Sequence, residues 1–184
     1  MKKYISALLF TLFFAGFLAL QVAFDLSDSS ARLSSPSKKM ELYYQDLYRN
    51  SGFTTVEGRK IRLKELKAPI VILNFWASWC IPCLEEFPSI VALKRRFNDQ
   101  QVFVLGVNTD NADINKVIQK VTKRYNLNFP IVADQSGNIA SKYMVSSLPF
   151  SIIFEHGKVL DIVYGKKNYG DKKLINRFVA AQIE

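Results

Sequence analysis

Residues 70–75 read IVILNF, uncharged and largely β-branched, and run through Trp76-Ala77-Ser78-Trp79 into Cys80-Ile81-Pro82-Cys83. A short continuous apolar stretch of this kind reads as a strand buried on both faces, which calls for a sheet covered by helices. After it, residues 80–98 read as a helix whose inward stripe is Phe87, Ile90, Val91, Lys94 and Phe97. The strand therefore delivers two cysteines, three apart, to the start of a helix.

That position favours redox chemistry. The unpaired N–H groups and positive dipole end of a helix stabilise a thiolate, lowering a cysteine pKa from about 8.5 into the ~3.5–7.5 range. Cys80, at the mouth of the helix, is the nucleophile of this reading. Cys83, one turn inside, is more buried and resolves the mixed disulfide. Pro82 is tolerated because a first-turn residue has no intrahelical N–H bond to lose. The competing readings are half a metal site and an inert structural disulfide. With two cysteines and one histidine in the whole chain, a four-ligand Cys/His zinc site is excluded by counting. A disulfide spanning three residues closes too small a loop to stabilise much. Leu84 stands where covalent haem attachment needs histidine.

The rest of the pattern alternates. Residues 40–50 have near-helical spacing, and 53–56 with 60–63 flank Glu57-Gly58 as a small hairpin. Residues 102–108 (VFVLGVN) form a second buried strand, and Asp110 or Asn111 can cap a helix carrying Ile114, Val117, Ile118, Val121 and Tyr125. Short strand 131–133 follows. Strands 151–154 and 159–164 flank the turn Glu155-His156-Gly157-Lys158, with His156 facing solvent. Asp171 then caps a last helix with Leu174, Ile175, Phe178 and Val179 inward. The order β-α-β-α-β, then β-β-α, implies an α/β fold with a mixed sheet and helices on both faces.

The chain has 184 residues, and its N-terminal end is of another kind. Residues 5–24 carry no charge and follow Lys2-Lys3; about 20 residues make a helix of about 30 Å, a bilayer's hydrocarbon thickness. Residues 1–24 thus read as a signal anchor with the N-terminus in the cytoplasm. A signal peptide cleaved after Ala31 is the competing reading. Residues 25–39 (DLSDSSARLSSPSKK) read as a Ser-rich tether, and 40–184 as one domain. Of the net charge of +9, Lys2 and Lys3 carry two. The remainder is dispersed in clusters such as Lys94-Arg95-Arg96 and Lys172-Lys173, without a nucleic-acid motif.

Residues 73–88 (LNFWASWCIPCLEEFP), and more weakly Leu148-Pro149 and the Gly157-Lys158 turn, resemble the thioredoxin superfamily. Within it, the match is to membrane-anchored thiol-disulfide oxidoreductases of the TlpA/ResA/CcmG (DsbE) kind. The resemblance implies a thioredoxin-like three-layer α/β/α domain with a mixed central sheet behind one transmembrane helix. It also implies that Leu148-Pro149 is a cis bond beside the active site, where Trp79, Leu148 and Pro149 bind substrate and Ile81 and Pro82 tune the couple. Phe150 follows this proline where the family usually has Thr. Glu86 resembles the family's active-site glutamate, a proton acceptor for Cys83, whereas Glu85 reads as a surface residue. Asn74 stands where cytosolic thioredoxins carry a buried Asp, and an amide cannot accept that proton.

The resulting expectation is an exported, membrane-tethered reductase on the outer face of the bacterial cytoplasmic membrane. It needs no cofactor beyond the Cys80–Cys83 couple and holds no metal. The resemblance implies a membrane thiol transporter of the DsbD/CcdA type as electron donor. The implied client is an exported disulfide, for example an apocytochrome c CxxCH during cytochrome c maturation in the periplasm. An exported oxidase or isomerase with the same parts is one alternative. A second is a Cu(I)-binding chaperone for a respiratory oxidase, since soft thiolates suit that ion. A docking adaptor is the third.

Overall fold

A computed structural model describes residues 38–183. The expected membrane helix at 1–24 and the tether up to residue 37 lie outside these residues. Helix α1 is Lys38–Asn50, two residues earlier than the expected domain start. Strands β1, Gly52–Thr54, and β2, Lys60–Arg62, pair antiparallel as the expected hairpin in shortened form. The main elements follow: β3 Ile70–Trp76, α2 Ile81–Arg96, β4 Val102–Asn108 and α3 Ile114–Tyr125. They continue with β5 Ile131–Ala133, α4 Asn138–Lys142, β6 Phe150–Glu155, β7 Lys158–Tyr164 and α5 Lys172–Ala180. The sequence pattern does not anticipate α4, a five-residue helix too short to show a period.

Five strands form one mixed sheet in the order β5-β4-β3-β6-β7. β3, β4 and β5 run parallel, β6 is antiparallel to β3, and β7 is antiparallel to β6. All seven residues of β3 and of β4 are buried, as their largely apolar runs require. Alternation along β3 then feeds two cores. Ile70, Ile72 and Trp76 pack with Phe87 and Ile90 of α2, Ile118 of α3 and Phe178 of α5. Val71, Leu73 and Phe75 pack on the opposite face with Tyr44 and Leu47 of α1, and with Tyr143 just after α4. Three layers result, with the apolar stripes of the helices closing both faces of the sheet.

Two expectations need correction. Val179 is 41% exposed, because the buried stripe of α5 runs through Ile175 and Phe178 and turns Val179 outward. The residue preceding α3 is Asp113, in a left-handed conformation with no side-chain capping bond; Asp110 has another use described below. Gly106 explains the one gap in the β4 run. A Cβ there would lie 3.1 Å from the Phe129 ring and 3.2 Å from Trp76 Nε1, so the flat side of β4 admits the indole.

Candidate active site

The two cysteines sit where β3 hands over to α2, and they are joined in a disulfide. Cys80 is the N-cap of α2, and its Sγ accepts at 3.3 Å from the Cys83 N–H, which also donates to the Cys80 carbonyl at 3.1 Å. Cys80 is 5% exposed and Cys83 fully buried. Trp79 and Ile81 stand out on either side of Cys80, 70% and 68% exposed. Pro82 falls in the first turn, where its missing N–H costs nothing.

The loop before Cys80 is held from β4. Asp110, buried, accepts from the Ser78 N–H at 2.9 Å, the Ser78 hydroxyl at 2.9 Å and the Asn108 amide at 2.7 Å. Its carboxylate fixes the turn that presents Trp79 and Cys80, rather than capping α3.

Behind the cysteines lies a buried polar cluster. Glu86 is one turn of α2 beyond Cys83 and only 2% exposed. Its Oε1 accepts from Asn74 Nδ2 at 2.6 Å, and its Oε2 from the main-chain N–H of Lys167 at 3.1 Å. Burial pushes the Glu86 carboxyl up to about 7; the two donors and the more distant Lys166 oppose this but do not cancel it. Glu85, by contrast, is exposed and pairs with Lys166 Nζ at 2.8 Å.

Asn74 also donates to Ser151 Oγ at 3.0 Å, and Tyr169 donates its hydroxyl to the same oxygen at 2.7 Å. Asn74 and Ser151 are register partners across β3 and β6, so their side chains share the face that α2 covers. Tyr169 is fully buried; desolvation, and next the charge of Glu86, push its phenol well above the usual tyrosine range. The Leu148–Pro149 bond is cis, at the start of β6. Because Phe75 pairs with Phe150, this proline lies at the end of the sheet where β3 passes into the cysteine loop. Pro149 is buried, and half-buried Leu148 packs against the core cluster that includes both cysteines. Phe150 turns away into the opposite core, against Tyr164 and Phe75, so its side chain is not on that rim. His156 sits on an exposed turn with φ 48°.

With this geometry in place, comparison with known proteins is direct. Residues 45–162 match the family described as AhpC/TSA. The chain belongs to the AhpC/TSA family. Within the family it is 35% identical over 119 residues to the thiol-disulfide oxidoreductase ResA of Bacillus thuringiensis subsp. konkukian, covering 64% of this chain and 68% of that one. Among solved structures it resembles StoA from Bacillus subtilis at 25% identity and TM-score 0.58, over 70% of this chain and 95% of that one. It also resembles a secreted Mycobacterium tuberculosis disulfide oxidoreductase homologous to E. coli DsbE, at 26% identity and TM-score 0.60, over 74% and 98%.

As a member of this family, the protein is a thiol-disulfide oxidoreductase of the ResA/DsbE type with Cys80 and Cys83 as its redox centre. Among the described residues, no group of three or more His, Cys, Asp or Glu is placed to hold a metal ion. Four groups that the structure brings to the site escape the sequence pattern: Asp110, Ser151, Tyr169 and the Lys167 amide. Ser151 alone leaves a trace. It is the one polar residue in the interior of β6, opposite the polar Asn74 of β3.

Proposed function

We propose that this oxidoreductase works as a reductase. It returns electrons to disulfides in exported proteins, with an apocytochrome c CxxCH as the leading client and a membrane thiol transporter of the DsbD/CcdA kind as donor. In this reading residues 1–24 anchor the chain in the cytoplasmic membrane and hold the domain on its outer face. Leu148, Pro149 and exposed Trp79 receive an extended client segment, since backbone next to a proline is free to pair with an added strand. Ile81 and Pro82, between the cysteines, tune the couple.

The chemistry runs as two exchanges. The Cys80 thiolate attacks one sulfur of the client disulfide, the client S–S bond breaks, and the departing client thiolate takes a proton from water. Cys83 then passes its proton to the Glu86 carboxylate and attacks the Cys80 sulfur. The second client thiolate leaves, the Cys80–Cys83 bond forms, and two electrons have moved to the client. Glu86 releases its proton to solvent before the transporter reduces the pair again.

One observation carries the direction: a buried carboxylate one turn from Cys83, held near neutrality by burial. Above its own midpoint that charge disfavours a neighbouring thiolate. Couples become strong oxidants when their reduced form is stabilised, and this arrangement does the opposite. Equilibration with glutathione tests it. A potential near that of thioredoxin, about −270 mV, is expected, and one near about −120 mV, the strongly oxidising end, overturns it in favour of an oxidase.

A further inference from the structure

Between β7 and α5 the chain crosses the site in a segment without regular secondary structure, residues 165–169. Its alternate amides point inward. The Gly165 N–H donates to the Pro149 carbonyl at 2.8 Å, the Lys167 N–H to Glu86 Oε2 at 3.1 Å, and the Tyr169 N–H to Ser89 Oγ at 3.1 Å. The side chains tie the segment down further. Lys166 reaches Glu85 at 2.8 Å, Lys167 Nζ reaches Asp161 at 3.0 Å, and the buried Tyr169 hydroxyl reaches Ser151. Gly165 begins the segment at φ 87°, a conformation that favours glycine.

We propose that residues 165–169 are the positioning element for Glu86, with the main-chain N–H of Lys167 as the donor that fixes its carboxylate. The proposal rests on the reading of Glu86 as the proton acceptor of Cys83. A main-chain donor held at both ends cannot rotate away as a side chain can. It is also neutral, so it orients the anion without pairing it with a counter-charge. Asn74 grips the other oxygen, and the carboxylate is fixed between two uncharged donors from opposite sides. The same segment holds the Pro149 carbonyl two residues earlier. The client-docking edge and the proton acceptor therefore hang from one stretch of chain, with donors two residues apart along it.

The ionisable groups around Glu86 are Cys83 and Glu85 on α2, Asp161 on β7, and Lys166, Lys167 and Tyr169 on the segment. The test follows amide and carboxyl resonances by NMR from pH 5 to 9, on the oxidised full chain in detergent micelles. The Lys167 amide is expected to shift with the same midpoint as the Glu86 carboxyl carbon, and to lose that transition in Glu86→Gln. Lys167→Pro, which lacks the N–H, is expected to raise the Glu86 midpoint by about one unit relative to Lys167→Ala, which keeps it. A Lys167 amide that stays still while Glu86 titrates overturns the proposal, as do Pro and Ala variants that titrate alike. The native-chain titration decides the matter even if the proline variant does not fold. A Glu86 carbon titrating in the ordinary carboxylate range overturns instead the reading of Glu86 as proton acceptor.

Discussion

The oxidised protein should lose about 3 kcal/mol of stability through Glu86 alone as the pH rises from 4.5 to about 7. In that interval the folded chain keeps a proton that the unfolded chain has already released, because burial raises the carboxyl from 4.5 to about 7. The stabilisation is complete below the unfolded value and is lost as pH climbs through the folded one. At 2% exposure, solvent screening does not discount it. Glu86→Gln removes the ionisation but sets an NH2 group against one of the two donors, Asn74 Nδ2 or the Lys167 N–H, at a cost of about 1–2 kcal/mol. Below pH 4.5 the variant should therefore be the less stable protein, and above pH 7 the more stable. Urea unfolding of both oxidised proteins at a series of pH values measures the difference. Two curves that cross between about pH 5 and 7 are expected. A difference that is flat, or that moves the other way with pH, refutes the desolvation argument and the near-neutral carboxyl with it.

Cys83→Ser should accumulate mixed disulfides through Cys80, and Cys80→Ser should form none; mass spectrometry of alkylated extracts reads both. An absence of adducts in Cys83→Ser would reverse the nucleophile assignment. Asp110→Ala strips the acceptor from two Ser78 groups and from Asn108 and should cost about 3 kcal/mol in urea unfolding. A loss below about 1 kcal/mol would mean that the Ser78 turn is held by other contacts.

What could be read from sequence followed the range of the physical signal. The runs at 70–75 and 102–108 are buried on both faces, so their composition alone marks them as central strands, and both appear within a residue of the expected bounds. The cysteine pair was legible because its chemistry depends on local position at a helix start. Asp110 misled because a side-chain acceptor two to four residues before a helix looks the same whether it caps that helix or reaches back to Ser78. Tyr169 and the Lys167 amide lie about 80 residues from Glu86 and Ser89 in the chain. Only the return of β6 and β7 alongside β3 brings them there, and a backbone donor has no residue type to betray it. Val179 failed for a smaller reason: the buried stripe of this short helix runs through Ile175 and Phe178 with Leu174 at its edge, and Val179 falls outside it.

The identity of residue 74 ties these observations together. With an amide on β3, the strand supplies donors, and the carboxylate they meet comes from the helix side at Glu86. A lysine paired to that anion would hold it ionised, and the crossing segment carries two, Lys166 and Lys167. Neither does so: Lys166 Nζ is drawn outward to Glu85, and Lys167 Nζ to Asp161. Lys166 is accordingly the smallest of the influences on Glu86, behind burial and the two neutral donors. With both ammonium groups paired elsewhere, burial is the largest influence on the acidity of Glu86. A direct ion pair would pull the pKa down by one to three units, roughly, and leave a base too weak to take a thiol proton at neutral pH. The surface pairs, worth little to stability themselves, matter here for where they send two positive charges.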